Sequence, residues 1–246
     1  MTHDWIIPDW PAHPRVRAVS TTRTGGVSVA PYASMNPATH VGDSEAAVQE
    51  NRASLAAGLQ LPASPVWLQQ VHGTRVVDTA ATGALPEADG AWCAEPNTVC
   101  AVLTADCLPV LLSDREGRCV AAVHAGWRGL AAGVIEHAVE ALPVAGDALL
   151  AWLGPAIGPK AYVVGDEVRT AFMATDAQAD AAFAAHHEGG WHADLYQLAR
   201  QRLASCGVDA VYGGGHCTFL EAGRFFSFRR DGVTGRMATL IWLAGE

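Results

Sequence analysis

No apolar run in the 246-residue chain approaches the roughly 20 residues a membrane span needs. The opening residues, MTHDWIIPDWPAH, hold no basic segment followed by an apolar one, so no secretory leader is expected and the chain is read as cytoplasmic. There is no CxxC pair, which excludes a zinc ribbon, and the six cysteines are read as thiols rather than disulfides. No GxxxxGK[ST] spacing occurs, so the glycines of GPAIGP (154–159) do not make a phosphate loop. Charge is sparse and one-sided. Only 17% of residues are charged and the formal net charge is -9, which argues against a nucleic-acid partner because a phosphate backbone wants a basic surface. An anionic small molecule stays possible where a few arginines converge. Neither a repeat nor a long linker interrupts the chain.

What is present is a globular composition, half apolar, in a length that can bury a sizeable core. The richest stretch runs from Cys100 to Leu130. It holds two strand-like runs, Cys100–Thr104 and Cys119–His124. The first breaks at Ala105-Asp106-Cys107; the second ends at His124 and passes into a helical pattern over 129–142. A third apolar run, 66–71, ends in His72-Gly73. Further strands are expected at 15–22, 74–80, 148–153, in DAVYG, in FFSFRR and in MATLIWL. Helices are expected at 44–57, capped by Ser44 and ended by Gly58, at 166–175, through the Ala-rich stretch to His187, and at 194–206. His186, His187 and His192 flank Gly189-Gly190; such a cluster could bind adventitious metal, but a solvated loop is the favoured reading. The simplest account is α/β: one domain over 1–246, a layered sandwich of two mixed β-sheets flanked by helices.

Three candidate ligands, His72, Cys107 and His124, thus stand at strand ends, where α/β folds gather their sites. His, Cys and His leave one tetrahedral position open, the pattern of catalytic rather than structural zinc, although their spacing matches no short zinc signature. Asp106 could orient a ligand or shuttle a proton, with Asp89 a second candidate. The same residues allow a different chemistry, with Cys107 as nucleophile and His124 as base of a thiol hydrolase. The residues leave both open.

The segments TTRTGGVS, QVHG, ADG, TADCLPVLL, VHAGWRGL, GPAIGP, HCT and FFSFRRDGVTGR follow one another over nearly the whole chain. In this the sequence resembles the YfiH / laccase-domain family, often labelled polyphenol oxidase. The resemblance implies an α/β sandwich related to a toxin-type cysteine deamidase. It implies a zinc site carried by His72, Cys107 and His124, and phosphorolysis of adenosine, inosine, guanosine and methylthioadenosine with deamination of adenosine. Partners are then small molecules, a purine nucleoside and phosphate, and the chain is expected to act as a monomer. Arg23, Asn36, Asp89, Arg229 and Arg230 are the residues assigned to substrate, the arginines because a guanidinium matches phosphate oxygens in pairs. Editing of a peptidoglycan precursor by a Cys–His pair is the alternative. Val163 stands where the family often has Glu, so it is given no polar role. The oxidase label conflicts with the residues. Multicopper sites need histidines in HxH pairs, of which the chain has none; copper would enter by substitution for zinc.

Overall fold

A computed structural model describes residues 3–83 and 85–245. In chain order the elements are β1 (Val16–Ser20), α1 (Glu45–Leu59), β2 (Val76–Asp78), β3 (Gly90–Cys93), β4 (Val99–Thr104), β5 (Leu108–Asp114), β6 (Val120–Ala125), α2 (Trp127–Ala132) and α3 (Val134–Ala141). They continue as β7 (Leu149–Leu153), β8 (Val163–Val164), α4 (Asp166–Met173), β9 (Phe183–Ala185), β10 (Trp191–Ala193), α5 (Leu195–Ser205), β11 (Ala210–Gly213), α6 (Phe228–Asp231) and β12 (Met237–Leu243). A six-stranded sheet runs β11-β7-β5-β6-β3-β2, parallel at its two outer pairs and antiparallel between. A smaller antiparallel sheet runs β1-β12-β4, and β8-β10-β9 form a third.

Side-chain alternation along the strands explains the layering, because successive residues point to opposite faces. On β4, Cys100 and Val102 pack with Leu111, Val120, Ala122 and Ile241 between the two main sheets. Val99, Ala101 and Leu103 face outward, where Leu55 of α1 covers them. On β6, Ala121 and Val123 face the other way, into the core closed by α3 and α5. The order is therefore helix, small sheet, large sheet, helices. Strands buried on both faces read as continuous apolar runs, which is why β4, β6 and β12 stand out in the sequence.

Several expectations are corrected by tertiary contacts. There are three sheets among the described residues, not two, and only the largest is mixed. Residues 66–71 do not form a strand; they make isolated bridges at Val66 and Gln69. The side chain of Gln70 replaces the ladder, donating to Leu103 O at 2.8 Å and accepting from Leu103 N–H at 2.7 Å, and so caps the open edge of β4. Ser44 makes no side-chain cap, and α1 runs past Gly58 to Leu59. Gly58 instead allows the approach of Trp5, whose ring atoms lie 3.2 Å from where a Cβ would stand. The helix expected over 129–142 is two, α2 and α3, broken at Gly133 with φ 100°. The Ala-rich stretch holds only a 3₁₀ turn, Ala177–Ala182, before β9. FFSFRR is no strand: Phe225 and Phe226 are fully buried in a loop, and Ser227 caps the short α6 by accepting from Arg230 N–H.

Candidate metal centre and its cavity

The β5–β6 ladder pairs Leu108 with Ala125, so Cys107, just before β5, meets the end of β6 that carries His124. The chain reaches Cys107 through Asp106, whose φ of 87° turns it sharply from the small sheet into the large one. His72 arrives from the loop before β2 and also has positive φ, 60°. A left-handed conformation at two non-glycine residues is costly and persists where surroundings fix it. At His72 the fixing group is Asp89, which is fully buried. Its carboxylate accepts from the N–H groups of Val71 (3.2 Å), His72 (2.9 Å) and Gly73 (2.6 Å). The same Oδ1 accepts from His124 Nδ1 at 2.8 Å. That bond sets the tautomer of His124 and leaves Nε2 as the atom free to ligate a metal.

Cys107 Sγ lies 3.7 Å from His72 Nε2, and the three ligand atoms all fall within 4.8 Å of one another. Tetrahedral zinc with ordinary Zn–S and Zn–N bonds has an S···N edge of about 3.6 Å, so the donors fit such an ion. The two imidazoles meet edge to face at 4.8 Å between centroids. Gly126 closes the centre from below. A Cβ there would stand 2.7 Å from His72 Cδ2, 3.2 Å from Cys107 Sγ and 3.4 Å from His124 Cε1.

Electrostatics favour the thiolate form of Cys107. Burial alone would raise its pKa, but His124 and His72 outweigh burial and hold it down to about 6. Burial would likewise lower His124, yet Cys107 and Asp89 push it up to about 9. Asp89 is kept below the usual carboxylate range because His124 and the backbone donors more than offset its burial.

A cavity of about 280 Å³ opens above the centre. His72, Asp106 and Cys107 lie at its base, Trp127, Tyr162 and Phe228 form walls, and Arg128 and Arg229 bring positive charge. Burial, and then the neighbouring Cys107, push the Tyr162 hydroxyl up, so it stays protonated. Asp106 is 8% exposed, with Oδ1 accepting from Thr218 Oγ1 at 2.6 Å and Oδ2 from Arg229 N–H at 2.7 Å. Arg229 Nη1 also donates to the carbonyl of Val163, the position given no polar side-chain role.

The residues assigned to substrate in the sequence divide. Arg229 lines the cavity; Arg23, Asn36, Asp89 and Arg230 are outside its lining among the described residues. Arg23 donates to the carbonyls of Ala33 and Ala222. Asn36 is fully buried, joined to Ala38, Asp43 and Arg236. Arg230 donates to the carbonyls of Thr218, Phe219 and Phe225 and pairs with Asp231. Each holds loops together. Trp127, Arg128 and Tyr162 line the cavity without having stood out in the sequence. The signal for Trp127 and Arg128 was their place in VHAGWRGL, on the first turn after a ligand strand. A larger cavity of about 580 Å³ opens between Gly158 and Gly214 and contains none of the three ligands.

A layered α/β sandwich carries, beneath a charged, aromatic cavity, a His-Cys-His group that could hold a metal ion. Residues 17–244 match the family model described as multi-copper polyphenol oxidoreductase laccase, and the chain belongs to this YfiH / laccase-domain family. It is 55% identical over 240 residues to purine nucleoside phosphorylase PA4543 of Pseudomonas aeruginosa, covering 97% of this chain and 98% of the relative. It is also 55% identical to purine nucleoside phosphorylase YfiH of Escherichia coli K12, with the same coverage. The crystal structure of Neisseria meningitidis protein NMB0706 superposes with a TM-score of 0.95 at 49% identity, over 98% of this chain and 100% of that one. No helix among the described residues is long and apolar enough to cross a membrane.

Proposed function

We propose that this chain is a zinc-dependent purine nucleoside phosphorylase that also deaminates adenosine. The observation that carries the reading is the His72–Cys107–His124 centre at the base of a cavity with aromatic walls and two arginines. The names of the relatives support the phosphorylase part of the reading. When bound by the three donors, zinc supplies Lewis acidity at an open coordination position. Copper would enter the same donors by substitution. Trp127 and Phe228 offer apolar faces to the purine. Arg128 and Arg229 hold phosphate, taking over the part first assigned to Arg23 and Arg230. In phosphorolysis a phosphate oxygen attacks the anomeric carbon, the glycosidic C–N bond breaks and the purine leaves with its electron pair. The protonated Tyr162 hydroxyl and the Asp106 carboxylate are the groups at hand for hydrogen bonding and proton relay. Deamination adds water at the purine carbon bearing the amine and releases ammonia, with Asp106 returning the proton. Inosine and phosphate supplied to the purified protein should yield ribose-1-phosphate and hypoxanthine. No product from wild type, or equal product from Cys107→Ala, would reject the reading.

A second reading draws on one observation, the chain Cys107–His124–Asp89, which has the order of a thiol hydrolase's nucleophile, base and orienting carboxylate. It assigns an amide in a cell-wall precursor as substrate. That activity survives removal of zinc, so loss of amide hydrolysis on chelation counts against it.

A further inference from the structure

The hairpin of β9 and β10 lies outside the lining of the cavity. Its register pairs Ala184 with His192 and Ala185 with Trp191, which places His186 diagonal to His192 on one face. The turn closes by His186 N–H to Gly190 O at 3.0 Å and Gly189 N–H to His186 O at 3.0 Å. Both glycines have positive φ, 94° and 80°. At Gly190 no side chain could enter, because a Cβ would meet Val164 O at 2.5 Å. This tight turn gathers the polar side chains instead of spreading them. The rings of His186 and His187 are 4.4 Å apart, and His192 stands edge-on to His186 at 4.8 Å. One ligand atom each from His186, His187 and Glu188 falls within 4.8 Å of the others. The N–H of Glu188 donates to His186 Nδ1 at 3.4 Å, which leaves Nε2 free. His187 and Glu188 are open to solvent, at 81% and 78% exposure of their side chains, so an ion can reach them.

We propose that this turn is a second metal site, for a divalent d-block ion held by His186, His187 and Glu188, with His192 packed against His186 to orient its ring. Imidazole donors select copper, nickel or zinc over magnesium and calcium, and among these copper(II) binds most tightly. The site has no sulfur donor, which distinguishes it from the centre at Cys107. The chain therefore has donors for two equivalents of metal by two chemistries, and copper(II) added while zinc fills the thiolate centre goes to the hairpin.

The test is a titration of the full-length, zinc-loaded protein with copper(II), followed by electron paramagnetic resonance and optical absorption. One added equivalent is expected, with nitrogen hyperfine structure and no thiolate-to-copper charge-transfer band. His186→Ala/His187→Ala should weaken it by at least about tenfold, the least that altered ligand environments cost. The variant should keep the zinc content and melting temperature of wild type, since the turn is exposed. Cys107→Ala should retain the copper site. Unchanged copper affinity in the double variant, or a charge-transfer band that disappears in Cys107→Ala, overturns the proposal.

Discussion

Asp89 and His124 form the pair on which the centre is hung: a fully buried carboxylate receives the imidazole Nδ1 at 2.8 Å while receiving three backbone N–H groups from the loop that carries His72. One side chain thus fixes the tautomer of one ligand and the backbone of another. In Asp89→Asn the amide keeps the shape but loses charge, and its N–H2 faces donors. Zinc affinity should fall about 10- to 100-fold, as it does when the carboxylate behind a ligating histidine is removed elsewhere. A competition titration with a chelator checks this, and affinity within twofold of wild type would contradict it.

Gly126 is the second support. Its φ of -65° suits any residue, so the backbone does not demand glycine there. Space does, since a Cβ would lie 2.7 Å from the His72 ring. Gly126→Ala should leave α2 formed while displacing His72. We expect an unchanged far-ultraviolet spectrum and at least tenfold weaker metal binding, read by the same competition.

The thiol provides a pH signature in metal-free protein. With its pKa held at about 6, Cys107 should react with iodoacetamide with a midpoint near pH 6, against 9 for an ordinary thiol. Global stability should not follow the same curve. Between about pH 6.5 and 9 the folded state has lost one proton from sulfur and gained one on His124 relative to the unfolded chain, and the two linkages cancel. Asp89→Asn removes one support of the imidazolium and should move the alkylation midpoint upward. Rates are measured by mass spectrometry across pH.

The cavity arginines separate from the loop arginines. Arg128→Gln and Arg229→Gln should each raise the KM for phosphate about 10-fold or more, the loss of a hydrogen bond to a charged group, with a smaller effect on the nucleoside KM. Arg23→Gln and Arg230→Gln should instead lower the melting temperature, because those guanidiniums satisfy backbone carbonyls. Steady-state kinetics and thermal melts decide it.

Asp114 supplies a stability test away from the centre. Fully buried, it accepts from Arg118 N–H, Cys119 N–H and Arg118 Nε, and so closes the β5–β6 turn. Although burial raises its pKa, Arg118 and the backbone donors lower it overall, so its contribution is present above the unfolded value of 3.8 and fades as pH falls through the folded one. Asp114→Ala should cost about 1–3 kcal/mol near neutral pH, the penalty for buried donors left unpaired, and much less in strong acid. Urea unfolding at both pH values measures it.

His72, Cys107 and His124 stand out in the sequence as candidate ligands because each terminates an apolar run, a local feature, and the fold brings them together. The sequence also showed Asp106, which sits at the break itself. It hid relationships made only by folding. Gln70 reads as part of a strand, yet its side chain is what binds β4. Asn36 and Arg230 look free to bind substrate until the loops they hold are in place. Asp89 reads in the sequence as a residue that could orient a ligand, but its grip on the His72 loop spans 17 residues and has no local pattern. Periodicity misread FFSFRR because burial on a loop resembles burial in a strand.

X-ray absorption at the zinc edge of the purified protein tests the shared centre most directly. We expect one sulfur at about 2.3 Å and two imidazole nitrogens at about 2.0 Å, with the sulfur lost in Cys107→Ala. A wild-type spectrum with no sulfur neighbour would mean that His72, Cys107 and His124 do not meet on one ion.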